Sequence, residues 1–283
     1  MLKKRILTAL VLIPLVLAAI YLLPPWLFSV AVGLVVVLAG WEWAALCGFK
    51  SKQSRVIYIA VLISIFLSMS FIPESVLVTI SIVSGAAIGW WLWSLLWLIR
   101  YQRRIKIIHR NRFAFALNGI FVLIPFWFGL GILDVEQAYQ FYLAKTYGLT
   151  KPQLLLFLIS IIALADTSAY FIGKKWGKRR LASRISPGKT WEGFAGSLIT
   201  VGFFTPILAH VLHIDKFDII RLSILVFVTV IASVLGDLFE SLVKRLAGVK
   251  DSGTLLPGHG GILDRIDSYT AAVPIFMAGY FFL

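Results

Sequence analysis

The sequence predicts an all-α, polytopic integral membrane protein with about nine transmembrane helices, and three observations support this fold class. First, 60% of the 283 residues are hydrophobic and only 14% are charged. Second, the mean hydropathy of +0.92 lies well above the range of soluble domains. Third, apolar runs of about 20 residues, the length that crosses a hydrocarbon core of about 30 Å, recur along the whole chain.

Nine such runs follow one another, separated by charged or turn residues. Their edges are defined to within roughly two to four residues. They span approximately residues 5–23, 26–47, 57–73, 76–99, 113–133, 153–173, 194–213, 219–241 and 264–283. Strands of a membrane barrel alternate polar and apolar residues, whereas the stretch from Leu154 to Leu164 is apolar on nearly all sides, so helices are favoured.

The first run follows Lys3, Lys4 and Arg5, a pattern that a cleavable signal peptide would also show. The run is long and ends at Pro24 and Pro25 instead of in a polar cleavage region. We therefore expect a retained membrane anchor.

The basic residues predict the orientation of the chain. With a cytoplasmic N-terminus, 23 of the 27 Lys and Arg residues fall in inside segments, and only Lys145, Lys151, Lys216 and Arg221 fall outside. This asymmetry follows the positive-inside rule and predicts a multi-pass protein of the cell (inner) membrane, with its site on the cytoplasmic side. The net charge of +14 needs no nucleic-acid partner, because topology and the anionic inner leaflet account for it.

Four tryptophans crowd the cytoplasmic half of the fourth run, at positions 90, 91, 93 and 97. Indole rings favour the boundary between lipid and water. We therefore expect these side chains to anchor the helix at the membrane interface.

The acidic residues mark the functional region. Only 13 exist, and eight lie within or beside the cytoplasmic half of the membrane: Glu42, Asp166, Glu192, Asp237, Glu240, Asp251, Asp264 and Asp267. An ionised carboxylate at membrane depth costs several kcal/mol unless it is paired or binds a metal, so these residues are functional candidates. For Asp166, a purely structural hydrogen bond or ion pair is the alternative.

The eighth run ends in a polar helix face. Asp237, Glu240, Ser241 and Lys244 are spaced i, i+3, i+4 and i+7, which places them on one side of a helix. This face presents two carboxylates, a hydroxyl and an ammonium group. An ordinary Glu240–Lys244 helix pair is the simpler alternative.

A glycine-rich loop follows this face. Its turn-forming residues are Gly253, Pro257, Gly258, Gly260 and Gly261. They permit a tight loop whose backbone N–H groups can approach phosphate oxygens. Just beyond it, Asp264 and Asp267 lie one helical turn apart. The chain has a single Cys and few His, so its candidate metal ligands are oxygen atoms, which favour Mg²⁺ over Zn²⁺. Magnesium together with basic residues usually binds the phosphates of nucleotides.

A second cytoplasmic loop contains Ser186-Pro-Gly-Lys189-Thr190. It resembles part of a Walker A loop, but the upstream glycine of that motif is absent. We expect Ser186, Lys189 and Thr190 to bind phosphate, with a simple loop turn as the alternative.

These motifs together resemble the C-terminal signature of phosphatidate cytidylyltransferases, also called CDP-diglyceride synthases. The resemblance rests on fixed spacing over about 28 residues: Ser241-Leu-Val-Lys244-Arg245, Lys250-Asp251-Ser-Gly, Pro257-Gly-His259-Gly-Gly and Asp264-Arg265-Ile-Asp267-Ser. The Asp166 region and the Ser186 loop also resemble that family. Residues 1–150 match in hydropathy only.

The resemblance implies that CTP and phosphatidic acid react to give CDP-diacylglycerol and pyrophosphate. It also implies Mg²⁺ with a monovalent cation such as K⁺, and a homodimer in membrane lipid. We treat residues 1–283 as one membrane-embedded domain, in which residues 1–150 serve packing or dimerisation and residues 151–283 carry catalysis.

The resemblance and the residue chemistry together assign the site. Asp237 and Asp264 are the first candidates for magnesium, and Asp166 and Asp267 are further metal ligands or hold the monovalent ion. The predicted catalytic residues are Asp237, Asp264, Lys250 and His259. The predicted substrate-binding residues are Ser186, Lys189, Thr190, Ser241, Lys244, Arg245, Asp251, Gly260, Gly261 and Arg265. His259 is expected to contact phosphate, with a general-base role as the alternative.

Two other functions fit parts of the pattern. A CTP-dependent polyprenol or phytol kinase also needs a membrane cavity and carboxylate-bound metal, but its alcohol acceptor normally requires a base. An ion-coupled transporter also carries intramembrane acids, but its acids are expected near the midplane of two corresponding halves. The long C-terminal signature favours the cytidylyltransferase.

Overall fold

The computed structural model of the chain describes residues 2–70, 76–104, 111–132, 151–211, 216–255 and 260–282. These residues form nine α-helices and one two-stranded sheet. The helices are α1 (Leu2–Leu22), α2 (Pro25–Cys47), α3 (Lys52–Ser70), α4 (Val76–Gln102), α5 (Arg112–Ile132), α6 (Lys151–Trp176), α7 (Trp191–Val211), α8 (Lys216–Ala247) and α9 (Leu263–Phe282). The strands β1 (Arg180–Ala182) and β2 (Ser186–Thr190) lie between α6 and α7.

The helices confirm the predicted fold class. Each of the nine apolar runs overlaps one helix in the described part of the chain. Seven of these helices are long and apolar enough to cross a membrane. Large apolar side chains such as Leu34, Ile199 and Phe203 are more than half exposed, as expected where helices face lipid. The protein is therefore a multi-pass membrane protein.

The small sheet is a feature that the apolar pattern does not predict. Its antiparallel strands pair Ala182 with Ser186 around a tight turn. Three and five residues are too few to show an alternating pattern in the sequence. Ala182 and Ile185 join Leu242 of α8 in a small buried cluster, which holds the sheet against that helix.

One apolar core joins the two halves of the chain. Trp43 of α2 stacks on Phe239 of α8 with ring centroids 6.4 Å apart, and its Nε1 donates a hydrogen bond to Phe115 O of α5 at 2.8 Å. Trp91 of α4 meets the same Phe239 edge-on at 5.8 Å and is only 2% exposed. The interfacial role predicted for Trp91 is therefore wrong, because this ring fills the core. Trp93 is 48% exposed, as the prediction requires.

Four segments that the sequence places on or near the inside contact one another in two pairs. Gln102 at the end of α4 donates a hydrogen bond to Ser183 between the strands at 2.9 Å. Ser252, which follows α8, donates one to Glu42 near the end of α2 at 2.8 Å. These contacts agree with the distribution of basic residues, which predicts that the segments lie on the same side of the membrane.

Candidate active site

A cavity of about 470 Å³ lies where α6, the small sheet, α7, α8 and α9 meet. All four aspartates predicted as metal ligands line it. They come from α6 (Asp166), α8 (Asp237) and α9 (Asp264 and Asp267). The predicted phosphate-binding residues that also line the cavity are Ser186, Lys189, Thr190 and Arg265. The fold thus gathers eight predicted residues from separate motifs around one space.

Ser268 connects two of the acidic helices. Its Oγ donates a hydrogen bond to Asp166 Oδ2 of α6 at 3.1 Å, and its N–H donates to the side chain of Asp267 at 2.7 Å. The serine is 2% exposed. Because a buried hydroxyl has a defined partner, Asp166 is fixed relative to the first turns of α9.

Lys189 forms an ion pair across the cavity lining. Its Nζ lies 2.6 Å from Asp237 Oδ2, and each side chain is about one-quarter exposed. Lys189 belongs to β2, whereas Asp237 belongs to α8. The contact brings the Ser186 motif to the polar face of α8.

The hairpin, which we define as residues 177–190, is held at its base by close packing. Thr190 Oγ1 accepts a hydrogen bond from Gly193 N at 3.1 Å, which makes Thr190 the N-cap of α7. A Cβ atom at Gly173 of α6 would lie 2.8 Å from the same hydroxyl oxygen. The small residues therefore let α6 and the hairpin approach closely enough to place Lys189.

Lys244 joins the helix face to the start of α9. Its Nζ lies 2.9 Å from Glu240 Oε1 and 2.6 Å from Asp264 Oδ1. The lysine and Glu240 side chains are 11% and 3% exposed, respectively. The predicted helix pair thus exists, but it belongs to a buried three-residue network that also includes Asp264.

Asp264 organises the described part of the glycine-rich segment, which we define as residues 248–262 and of which residues 248–255 and 260–262 are described. Its Oδ2 accepts hydrogen bonds from Ser252 N at 3.0 Å, Ser252 Oγ at 3.0 Å and Gly261 N at 2.8 Å. Gly260 adopts a φ of +83°, and a Cβ there would lie 2.7 Å from the same oxygen. Both the backbone conformation and the available space favour glycine at this position.

Several other predicted site residues do not line the cavity. Ser241 donates a hydrogen bond to Asp237 at 3.4 Å, and Arg245 Nε donates to Ile185 O of the hairpin at 3.3 Å. Lys250 and Asp251 are exposed at the start of the glycine-rich segment. Within the described ranges, the residues that line the cavity do not include Ser241, Lys244, Arg245, Lys250, Asp251, Gly260 or Gly261. His259 lies outside the described residues.

The donor set is chemically suited to a hard cation. The four aspartates supply carboxylate oxygens, and Ser186, Thr190 and Ser268 supply hydroxyl oxygens around the same cavity. Yet no group of three His, Cys, Asp or Glu residues in the part of the chain that the structure describes is arranged to hold an ion.

A scan against family models decides the classification of the chain. The model of the cytidylyltransferase family matches residues 3–283. The chain belongs to this family. The match spans the N-terminal helices as well as the C-terminal motifs, so the resemblance seen in the motifs is confirmed.

Individual relatives in the cytidylyltransferase family agree with this classification. A protein of Haemophilus influenzae is 39% identical over the full length of both chains, and one of Pseudomonas aeruginosa is 37% identical over 98% of this chain and 96% of its own. A third, from Bacillus subtilis, is 38% identical over 65% of this chain and 64% of its own. All three relatives are named phosphatidate cytidylyltransferase.

Sequence reasoning assigned no specific role to two residues that hold the site together. Ser252 contacts both Asp264 and Glu42, and Glu42 is buried against the glycine-rich segment. For Glu42 a signal was present, because a carboxylate within an apolar helix requires a polar partner. For Ser252 the sequence offers no signal beyond its place in the motif.

Proposed function

We propose that this protein transfers the cytidylyl group of CTP to phosphatidic acid, giving CDP-diacylglycerol and pyrophosphate. The observation that carries the proposal is the single cavity that gathers four aspartates, Lys189 and Arg265 among membrane helices. Family membership supplies the cytidylyl chemistry. The names of the relatives supply the phosphatidate acceptor. The reaction makes the protein a nucleotidyltransferase of phospholipid biosynthesis.

In this reaction a phosphate oxygen of phosphatidic acid attacks the α-phosphorus of CTP. A new P–O bond forms as the bond between the α-phosphorus and the bridging oxygen to the β-phosphorus breaks, and pyrophosphate leaves with that oxygen. The acceptor is a phosphate monoester, which is already anionic near neutral pH because its second pKa is about 6. No general base is therefore required, and His259 serves as a phosphate contact.

Basic side chains around the cavity balance the negative charge of the substrates. Lys189 and Arg265 line the cavity and are proposed to bind phosphate oxygens directly. Lys244 is proposed to act through Asp264, which it contacts at 2.6 Å. Arg245 and Lys250, which lie outside the cavity lining, are proposed to neutralise the phosphates of the substrates or of the leaving pyrophosphate. Charge neutralisation and positioning dominate phosphoryl-transfer chemistry, so these contacts carry much of the catalysis.

We propose Mg²⁺ as the divalent cofactor, with Asp237 and Asp264 as first ligands and Asp166 and Asp267 as further ligands or holders of a monovalent ion such as K⁺. Magnesium is usually bound by one or two carboxylates together with substrate phosphates and water, so a preformed three-carboxylate cluster is not needed. When bound, it would neutralise charge on the reacting phosphates. Lys189 pairs with Asp237 in this structure and is proposed to turn from that carboxylate to the substrate.

The lipid substrate requires a path from the membrane to the cavity. Tyr170 of α6 lines the cavity and is 61% exposed on the helix surface. Phe194 of α7 also lines the cavity. We propose that phosphatidic acid reaches the site along this wall, with its phosphate inside and its acyl chains in the lipid.

The orientation follows from the distribution of basic residues. We propose that the N-terminus and the site face the cytoplasm, where CTP is available. Membrane-impermeant thiol labelling should modify Arg104→Cys, Arg180→Cys and Lys250→Cys only when the cytoplasmic face is accessible. Gln140→Cys and Lys216→Cys should show the opposite pattern, and an inverted result would refute the orientation. Cys47 is buried, which keeps background labelling low.

The resemblance also implies a homodimer, which we propose as the assembly state. Light scattering of the purified protein in detergent, corrected for bound detergent, measures the mass of the protein part. A mass of two chains supports the dimer, and a mass of one chain contradicts it.

An activity assay on purified protein tests the proposed reaction. With CTP and phosphatidic acid we expect CDP-diacylglycerol, formed only when Mg²⁺ is present. A polyprenol or phytol offered in place of phosphatidic acid should give no product. Phosphorylation of the alcohol, with phosphatidic acid left unused, would favour the kinase instead.

A further inference from the structure

The glycine-rich segment is tied to the N-terminal half of the chain by one carboxylate. Glu42 of α2 accepts hydrogen bonds from Ile262 N at 3.1 Å on Oε1, and from Leu263 N at 2.9 Å and Ser252 Oγ at 2.8 Å on Oε2. These partners lie more than 200 residues away in sequence. Glu42 is only 3% exposed, so the donors stand in place of water.

The position of Glu42 matches the needs of α9. Helix α9 begins at Leu263, and the first N–H groups of a helix lack an acceptor within the helix. The same end carries the positive pole of the helix dipole, which favours a nearby negative charge. Glu42 thus caps α9 from another helix.

Ser252 couples this cap to the cavity. Its hydroxyl lies 2.8 Å from Glu42 Oε2 and 3.0 Å from Asp264 Oδ2. Asp264 and Arg265, which line the cavity, occupy the first turn of the helix that Glu42 caps. A shift of Glu42 would therefore move both residues relative to Asp237.

Close packing shows that Glu42 has little freedom to move. A Cβ atom at Gly253 would collide with Glu42 Oε1 and would lie 2.8 Å from Cδ of the same carboxylate. A Cβ at Gly261 would collide with both Glu42 and Ser252. Two backbone N–H groups and the hydroxyl proton that Ser252 shares with Asp264 hold the buried carboxylate, so moving it aside to admit a larger residue would break these contacts.

We propose that Glu42 is a positioning residue that fixes the glycine-rich segment and the first turn of α9 in the geometry the reaction requires. Its effect on turnover rests on the proposed cytidylyl transfer, whereas its effect on the segment does not. The N-terminal half therefore contributes to the site itself, in addition to packing.

The first test replaces the carboxylate with its amide. In Glu42→Gln, one side-chain oxygen becomes an NH₂ group that faces a donor, so at least one contact is lost. We expect kcat for cytidylyl transfer to fall about ten- to a hundredfold. Ser94→Ala, a buried change in α4 whose hydroxyl bonds only to Trp91 O of its own helix among the contacts described, should keep near-normal kcat.

A spin label reports on the segment independently of activity. Leu255 is 50% exposed within the glycine-rich segment, so Leu255→Cys is accessible to a nitroxide reagent. Glu42→Gln should raise the mobility of this label, whereas Ser94→Ala should leave it unchanged. A label at Arg180→Cys in the hairpin should be unaffected by Glu42→Gln. Unchanged mobility at position 255 would overturn the proposal.

The steric contact gives a second test through suppression. Gly253→Ala should lower the melting temperature of the wild-type protein in detergent, because its Cβ meets Glu42. In a Glu42→Ala background the same change should cost almost nothing further. Gly33→Ala, in the same helix as Glu42, collides with the Trp127 ring instead and should keep its full effect in both backgrounds. Additive losses for Glu42→Ala and Gly253→Ala would contradict the proposal.

These results separate the two proposals. A wild-type protein that does not use phosphatidic acid would refute the proposed function, yet the label and suppression results would stand. If Glu42→Gln fails to fold, Ser252→Ala removes the shared hydroxyl alone. Ser252→Ala should lower kcat about three- to tenfold and should raise the mobility of the label at position 255 less than Glu42→Gln would. Unchanged label mobility in Ser252→Ala would then overturn the positioning role.

Discussion

The hairpin lines the cavity directly, whereas the glycine-rich segment contacts Asp264, which lines it, and the two segments are held by carboxylates in different surroundings. The glycine-rich segment and the start of α9 donate backbone and hydroxyl hydrogen bonds to Glu42 and Asp264, which lie at a buried helix end. In the hairpin, Glu192 accepts hydrogen bonds from Lys178 N at 3.0 Å and Arg179 N at 3.1 Å, with 28% of its side chain exposed.

This difference predicts unequal sensitivity to substitution. Where a buried acceptor is removed, its donors lose their partners and water cannot easily replace it. Where the acceptor is exposed, water and the strand pairing of the hairpin compensate. The glycine-rich segment should therefore depend on its carboxylates far more than the hairpin depends on Glu192.

The largest effects are expected at the cavity aspartates. Asp237→Asn and Asp264→Asn should each lower kcat at least a hundredfold, because each removes a carboxylate charge proposed to bind magnesium. Only Asp264→Asn should also lower the melting temperature clearly, because the one remaining side-chain oxygen can accept from either Lys244 or the segment amides, while the new NH₂ group faces the other donors. Steady-state kinetics and thermal unfolding in detergent measure the two effects. Near-normal turnover of either variant at saturating Mg²⁺ would remove that residue from the site.

The next largest effect is expected at Lys189, the hairpin residue that is proposed to bind phosphate. Lys189→Gln should reduce kcat/KM for CTP about a hundredfold, because a charge-assisted phosphate contact is worth about 1.5–3 kcal/mol. The melting temperature should change little, since Lys189 is partly exposed. Lys178→Gln is the matched control, because Lys178 belongs to the same hairpin but does not line the cavity. Equal losses in both variants would indicate a general charge effect.

His259 tests whether the glycine-rich segment contributes contacts or proton transfer. His259→Gln should lower turnover about ten- to a hundredfold and keep the low-pH limb of the rate profile, because an amide can replace a phosphate contact. A loss above a thousandfold, together with the disappearance of an ionisation near 6.5, would assign His259 as a general base.

The smallest effect is expected at Glu192. Glu192→Gln should change turnover less than about threefold and leave the melting temperature nearly unchanged, because its contacts are solvent-accessible. Measuring Glu42→Gln in the same assay compares the dependence of the glycine-rich segment on its carboxylate with that of the hairpin on Glu192. Similar losses in the two variants would show that burial does not decide how these segments are held.

The sequence could predict much of this structure for identifiable reasons. The nine helices follow from apolar runs of membrane length, and the aspartates of the cavity stand out because carboxylates are rare in such runs. The small sheet was not predicted, because strands of three and five residues are too short to show a periodic pattern.

The details of the site depended on tertiary contacts. No spacing rule connects Glu42 with Leu263, or Lys189 with Asp237, because the residues of each pair belong to separate elements. Trp91 shows the same limit, because an indole ring is equally common at a membrane interface and in a packed core, and only the structure shows that it packs against Phe239.

The fate of the CTP phosphates tests the central claim most directly. Purified protein, phosphatidic acid and Mg²⁺ are incubated with CTP labelled at either the α- or the γ-phosphorus, and the lipid and aqueous phases are counted separately. Cytidylyl transfer predicts that the α-label enters the lipid phase while the γ-label is released to the aqueous phase as pyrophosphate. In Asp237→Asn neither transfer to lipid nor release of pyrophosphate should be detected. Entry of the γ-label into the lipid, with the α-label left in CDP, would contradict the account and identify a kinase.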